Sequence, residues 1–164
     1  MARSENRRLY FLLAVTVWAA DQASKWLVAS ALAPGETRYV AGFFNLTHTR
    51  NRGAAFGLFA DLAAPLGTIL LVALSGVALA VVLVLLWRNS SESFGSVSLA
   101  LILGGALGNL FDRLRAGDVV DFLDFHLAGY HWPAFNLADS AIVVGAAGLI
   151  YQALRRTGLR QRVA

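Results

Sequence analysis

From Ala64 to Trp87 the chain carries no ionisable side chain. A helix rises ~1.5 Å per residue, so about 20 residues cross a hydrocarbon core ~30 Å thick. This run is long enough to cross, and Trp87-Arg88 closes it as an interfacial anchor. A bilayer is therefore the solvent for part of the chain, and backbone polar groups inside it must be satisfied within the segment, as a helix does.

The composition extends that reading to the whole chain. Charged residues make up 15% against ~25% in a soluble globule, and the mean hydropathy is +0.59. The net charge of +4 comes mostly from basic residues at chain ends beside apolar runs. That pattern orients a membrane protein and is not a stripe for nucleic acid. The absence of cysteine excludes disulfides, thiolate metal sites and a cysteine nucleophile.

Three more apolar runs predict spans, giving four transmembrane helices at about 9–32, 64–87, 94–111 and 137–154 in one membrane-embedded domain, residues 1–164, of an all-α integral membrane protein. The first run, behind Arg3, Arg7 and Arg8, has a cleavable signal peptide as its alternative. Apolar sequence resumes at Trp26 and continues to Ala33, so we read an uncleaved helix. It holds Asp21 and Lys25, four apart on one face, as an internal ion pair or as support for a site. Eight basic residues fall on the side of the termini and five on the other, over longer loops, so both termini are expected in the cytoplasm. Residues 34–61 then lie outside, with short strands expected at Arg38–Val40 and Phe43–Thr49 and an interfacial segment at Ala54–Leu62. The sequon Asn45-Leu46-Thr47 is too short a pattern to weigh.

Chemistry concentrates between Gly104 and Ser140, which holds five of the ten acidic residues. On the third span Ser98, Gly105, Gly108, Asn109 and Asp112 share one small-and-polar stripe. The glycines suit close helix packing, but packing does not account for Asn109 and Asp112. A returning loop brings the outer ends of two spans together, so Asp112, Asp121 and Asp139 can approach one another. Two carboxylates in one site share a proton, and such a pair can hold a water, one as base and the other polarising a carbonyl. Asn136 is placed as the N-cap of the last helix with Asp139 in its first turn, where the dipole favours charge. Asp121, between Val120 and Phe122, is the expected proton holder. His48, His126 and His131 match no strong metal-ligand spacing, and no G-x-S-x-G supports a serine triad. Asp118 and Asp124 read as loop-surface charges.

Four blocks carry a resemblance: Asp21-Gln22-x-Ser24-Lys25; Phe44-Asn45-Leu46 through Asn51-x-Gly53-Ala54-Ala55-Phe56; Gly108-Asn109-x-x-Asp112-Arg113 through Val120-Asp121-Phe122; and Phe135-Asn136-x-Ala138-Asp139. In this order the chain resembles the lipoprotein signal peptidases, the bacterial type II signal peptidases. Gly57, where many relatives carry Ser, is a local departure. The resemblance implies an aspartic endopeptidase of the bacterial cytoplasmic membrane, with its active site at the outer face and no metal or other cofactor. It would cut the signal peptide from a prolipoprotein just before a diacylglyceryl-modified cysteine. Asp121 and Asp139 match the catalytic positions; Asn51, Asn109, Arg113 and Asn136 match substrate-binding or loop-holding ones; Asp21, Lys25 and Asp112 match supporting ones. Residues 34–62 resemble an extramembrane β-cradle and interfacial helix over the substrate. The partners so implied are lipidated prolipoproteins and membrane lipids, not nucleic acid, and a monomer is expected. A proton-coupled transporter would place ionisable groups at mid-membrane on several helices, and a structural subunit would tolerate Asp121→Asn and Asp139→Asn.

Overall fold

The computed structural model describes residues 2–53, 66–88 and 94–161. Along the chain these form α1 (Ala2–Ala31), β1 (Thr37–Ala41), β2 (Phe44–Asn51), α2 (Leu66–Arg88), α3 (Phe94–Ala116), β3 (Val119–Leu127), β4 (Tyr130–His131) and α4 (Leu137–Gln161). The expected interfacial helix at 54–62 lies outside the described residues.

Among the described residues, three helices are long and apolar enough to cross a membrane: α2, α3 and the Leu137–Arg156 part of α4. The first expected span is helical, but Asp21, Gln22 and Lys25 dilute its apolar run and it falls short of that measure. α2 buries only Gly67, Leu71 and Leu86 inside the protein and leaves Ile69, Leu74, Val77 and Val81 more than half exposed. In water such a helix would aggregate; against acyl chains the same surface is at home. α3 runs past its expected end at Phe111 to Ala116. Gly117 stops it: at φ 78° its N–H reaches back to the Arg113 carbonyl at 3.0 Å. α4 likewise continues beyond Leu154 to Gln161.

α3 is the central helix and packs on α1, α2 and α4. Lipid offers no hydrophobic drive between helices, so close backbone approach has to supply the attraction. Side chains are missing where that approach occurs. A Cβ at Gly104 would strike the Ala14 carbonyl and Val17 of α1, and one at Gly105 the Ala138 carbonyl of α4. Ala14, Leu86, Leu99, Ala100 and Leu103 fill the space between the helices.

At one end of the bundle the four strands form an antiparallel sheet in the order β1-β2-β3-β4. β1 and β2 are the two strands expected, and they pair antiparallel as a hairpin. β3 is a finding: Val119–Leu127, read from sequence as part of an acidic loop, pairs with β2. Phe122 of β3 buries against Val28 and Leu32 of α1 and fastens the sheet to the bundle.

Candidate active site

Three local devices bring the polar side chains together. Phe135 bridges to Leu123 of β3, its N–H donating to the Leu123 carbonyl at 3.1 Å and its carbonyl accepting from Leu123 N–H at 2.8 Å. That stitch sets the first residues of α4 beside β3. A bulge in β2 between Leu46 and Thr49 shifts the register so that Thr49 faces Asp121 and Asn51 faces Val119. Asn51 is thus a diagonal neighbour of Asp121, within side-chain reach. Finally, Asn136 and Asp139 form a reciprocal cap: Asp139 N–H donates to Asn136 Oδ1 at 2.9 Å, and Asn136 N–H donates to Asp139 Oδ2 at 3.2 Å.

Asn136 is wholly buried and its amide does a second job. Its Nδ2 donates to Asp121 Oδ1 at 2.7 Å, and Asn51 Nδ2 donates to Asp121 Oδ2 at 2.9 Å. Asp139 Oδ1 accepts from Asn109 Nδ2 at 2.7 Å. Each carboxylate is therefore held by two donors, and one residue, Asn136, touches both. Burial pushes the Asp121 carboxyl up to about 6, with the neighbouring Asp139 adding to the rise and the amides of Asn51 and Asn136 opposing it.

Beneath this pair lies a charged cluster. Lys25 Nζ stands 2.8 Å from Asp21 Oδ2 and 2.6 Å from Asp112 Oδ2, and donates to Asn109 Oδ1 at 2.9 Å. That last bond fixes which end of the Asn109 amide faces Asp139. Asp21, fully buried, accepts the Ala138 N–H at 2.9 Å and so caps the first turn of α4 from α1. Gly108 makes room for it: a Cβ there would strike Asp21 Oδ2. Arg113 donates to the Gly53 carbonyl at 3.1 Å and to Asn109 O at 3.3 Å, tying the end of β2 to α3.

All nine sequence-predicted residues thus fall in one connected network. Gln22, given no role beforehand, joins it by donating to Asp112 Oδ1 at 2.9 Å and to Asp21 Oδ2 at 3.2 Å; its place in the first block, beside Asp21, was the available signal. Two expectations are corrected. Asp118 and Asp124 are not surface charges but are buried, because β2 supplies partners the sequence does not show as near. Arg50 pairs with Asp118 at 3.1 Å, and Asn45 Nδ2 donates to Asp124 at 2.9 Å. Burial alone would raise the Asp124 pKa, but the hydrogen bonds from Asn45 and His131 outweigh it and hold the carboxyl below its usual value. The histidines are engaged separately. His48 Nδ1 meets the Leu32 carbonyl at 2.9 Å, while His131 pairs with Asp124 and stacks on His126.

A family model described as signal peptidase (SPase) II matches residues 13–155. The chain belongs to the signal peptidase II family. Family members are lipoprotein-processing proteases with membrane-spanning helices. The lipoprotein signal peptidase of Burkholderia vietnamiensis is 53% identical over 136 residues, 83% of this chain and 81% of that one. That of Paraburkholderia phymatum is 47% identical over 144 residues, 88% of this chain and 86% of its own length. A bacterial membrane enzyme solved by the in meso method at 2.3 Å superposes with a TM-score of 0.80 at 32% identity, covering 91% of this chain and 89% of that one. A second such structure, at 1.9 Å, gives 0.78 at 32% identity over 90% and 93%. Within the family match lie all four sequence blocks and the whole network around Asp121 and Asp139.

Proposed function

We propose that this chain is an aspartic endopeptidase of the bacterial inner membrane that cleaves diacylglyceryl-modified prolipoproteins just before the lipidated cysteine. Asp121 and Asp139 are its catalytic pair. The observation that carries this reading is Asn136, hydrogen-bonded through its side chain to Asp121 and through its backbone N–H to Asp139. Such a clamp sets two carboxyl groups around one point, where a water can sit.

The two aspartates take different roles. Asp139, in the first turn of α4 and held by Asn109, is the ionised base. Asp121, with its pKa raised to about 6, carries the proton. As the water oxygen bonds to the scissile carbonyl carbon, Asp139 takes a water proton and Asp121 gives its own to the carbonyl oxygen. Asp139 then passes its proton to the amide nitrogen, a hydroxyl of the tetrahedral gem-diol returns its proton to Asp121 as the C–N bond breaks, and the pair again shares one proton. Asn51 and Asn136 hold Asp121; Asn109, oriented by Lys25, holds Asp139; Asp21, Asp112 and Arg113 hold the helix ends in place. No metal or other cofactor takes part.

α1 to α4 cross the membrane as one domain, with both termini in the cytoplasm and the sheet at the outer face as a cradle over the substrate. A lipidated signal peptide already lies in the bilayer, so it reaches the site sideways, past the apolar wall of α2. The enzyme works as a monomer. The test is the purified protein in detergent or bilayer with a diacylglyceryl-modified prolipoprotein. The product should begin at the lipidated cysteine, and an unlipidated precursor should stay intact. Equal cutting of both precursors would refute the substrate, and loss of activity on metal chelation would refute the metal-free mechanism.

A further inference from the structure

At the ends of the helices opposite the carboxylate network, α2, α3 and α4 line an open cleft of about 510 Å³. Leu85, Leu99 and Leu149 line its apolar part; Arg88, Gln152 and Arg156 line its polar part. A smaller cleft of about 270 Å³ shares Gln152 and Arg156 with it and runs on past Phe94 and Tyr151. Ion pairs among the described residues engage Lys25, Arg50 and His131, so neither Arg88 nor Arg156 has a carboxylate partner there. Arg155 adds positive charge nearby, against the single acid, Glu92, in the sequence between Arg88 and Phe94. No acidic residue follows Asp139 in the sequence, and Arg155 lies over the Tyr151 ring, 5.5 Å from its centroid.

An apolar slot with two guanidinium groups, at the end of helices that cross a bilayer, has a definite complement. It suits a molecule with one phosphodiester charge and hydrocarbon chains. A guanidinium binds phosphate oxygens through paired N–H donors and sheds its water more readily than an ammonium. A zwitterionic lipid brings its own cation into the same field, whereas an anionic one does not. We propose that this cleft binds one anionic glycerophospholipid, its phosphate between Arg88 and Arg156 and its chains along Leu85, Leu99 and Leu149. The neighbouring smaller cleft, which shares Gln152 and Arg156, gives a second chain its own path.

Native mass spectrometry of the full chain, released from detergent with dioleoylphosphatidylglycerol or dioleoylphosphatidylcholine, tests this. The wild type should retain one phosphatidylglycerol and discriminate against phosphatidylcholine. Arg88→Gln with Arg156→Gln should weaken retention roughly thirtyfold, as about two lost surface cations would. Arg38→Gln with Arg115→Gln, which removes equal charge at the sheet end of the molecule and outside the cleft, should leave it unchanged. Ala153→Trp, which puts an indole into the space meant for the chains and keeps both arginines, should weaken retention as well; Ala153 lines the same cavity. Equal retention of both lipids, equal loss in the two double variants, or full retention in Ala153→Trp would overturn the proposal. Displacement of the lipid by an equal concentration of inorganic phosphate would overturn it too, since the chains would then contribute nothing.

Discussion

The raised pKa of Asp121 makes the division of labour in the catalytic pair measurable. Asp121 is 3% exposed, and burial is the main reason its carboxyl titrates near 6. Its neutral form therefore dominates below about pH 6 and is lost as pH rises. If Asp121 must supply a proton, kcat/KM should fall about tenfold per unit above that point, leaving roughly 1% at pH 8. The limb belongs to the coupled pair, so a single substitution is needed to assign it. Asn51 donates to Asp121 at 2.9 Å and favours the charged form. A hydrogen bond to a charged group contributes about 1.5–3 kcal/mol, and one pKa unit corresponds to about 1.4 kcal/mol. Asn51→Leu should thus move the falling limb up by about one to two pH units, whatever it does to the maximal rate. The assay is a cleavage profile from pH 4 to 9 with a lipidated substrate held well below KM. Activity that rises through pH 6, in place of falling, would make Asp121 the base. A limb that Asn51→Leu leaves in place would mean that another group controls it.

Two further outcomes follow from the network below the site. Lys25→Met leaves the buried Asp21 and the part-buried Asp112 facing each other without their cation, and should cost about 3–5 kcal/mol in thermal unfolding. Adding Asp21→Asn and Asp112→Asn should restore most of that loss; no restoration would mean that the carboxylates are not what Lys25 balances. Gly105→Ala drives a methyl into the Ala138 carbonyl beside Asp139, so it should lower both the melting temperature and the cleavage rate. Gly76→Ala, in open space on α2, is the control and should lower neither.

Much of this architecture is legible in the residues, because length without charge is a one-dimensional property. Ala64–Trp87 needs no partner to declare itself a span, and the described α2, Leu66–Arg88, coincides with it nearly throughout. The polar blocks name the network members as well. What the chain order cannot display is contact between distant segments. Asp118 meets Arg50 across 68 residues and Asp124 meets Asn45 across 79, so two buried acids read as solvated ones. β3 escapes notice for a related reason. With Asp121 and Phe122 both buried, the strand faces packing on two sides and loses the in–out alternation that marks a half-buried strand. The bulge in β2 and the Phe135 bridge, which bring Asn51 and Asn136 to Asp121, are matters of register between strands.

The central claim is that Asp121 and Asp139 perform the cleavage together. The direct measurement is the single-turnover rate on a diacylglyceryl-modified prolipoprotein for Asp121→Asn and Asp139→Asn, each first shown to keep the wild-type far-ultraviolet spectrum and to bind the substrate. Removing either member of a pair that acts as a unit should abolish almost all activity, about a thousandfold or more, and the double variant should be scarcely worse than either single one. A folded, substrate-binding variant of either aspartate that still cuts at the wild-type rate would contradict the account.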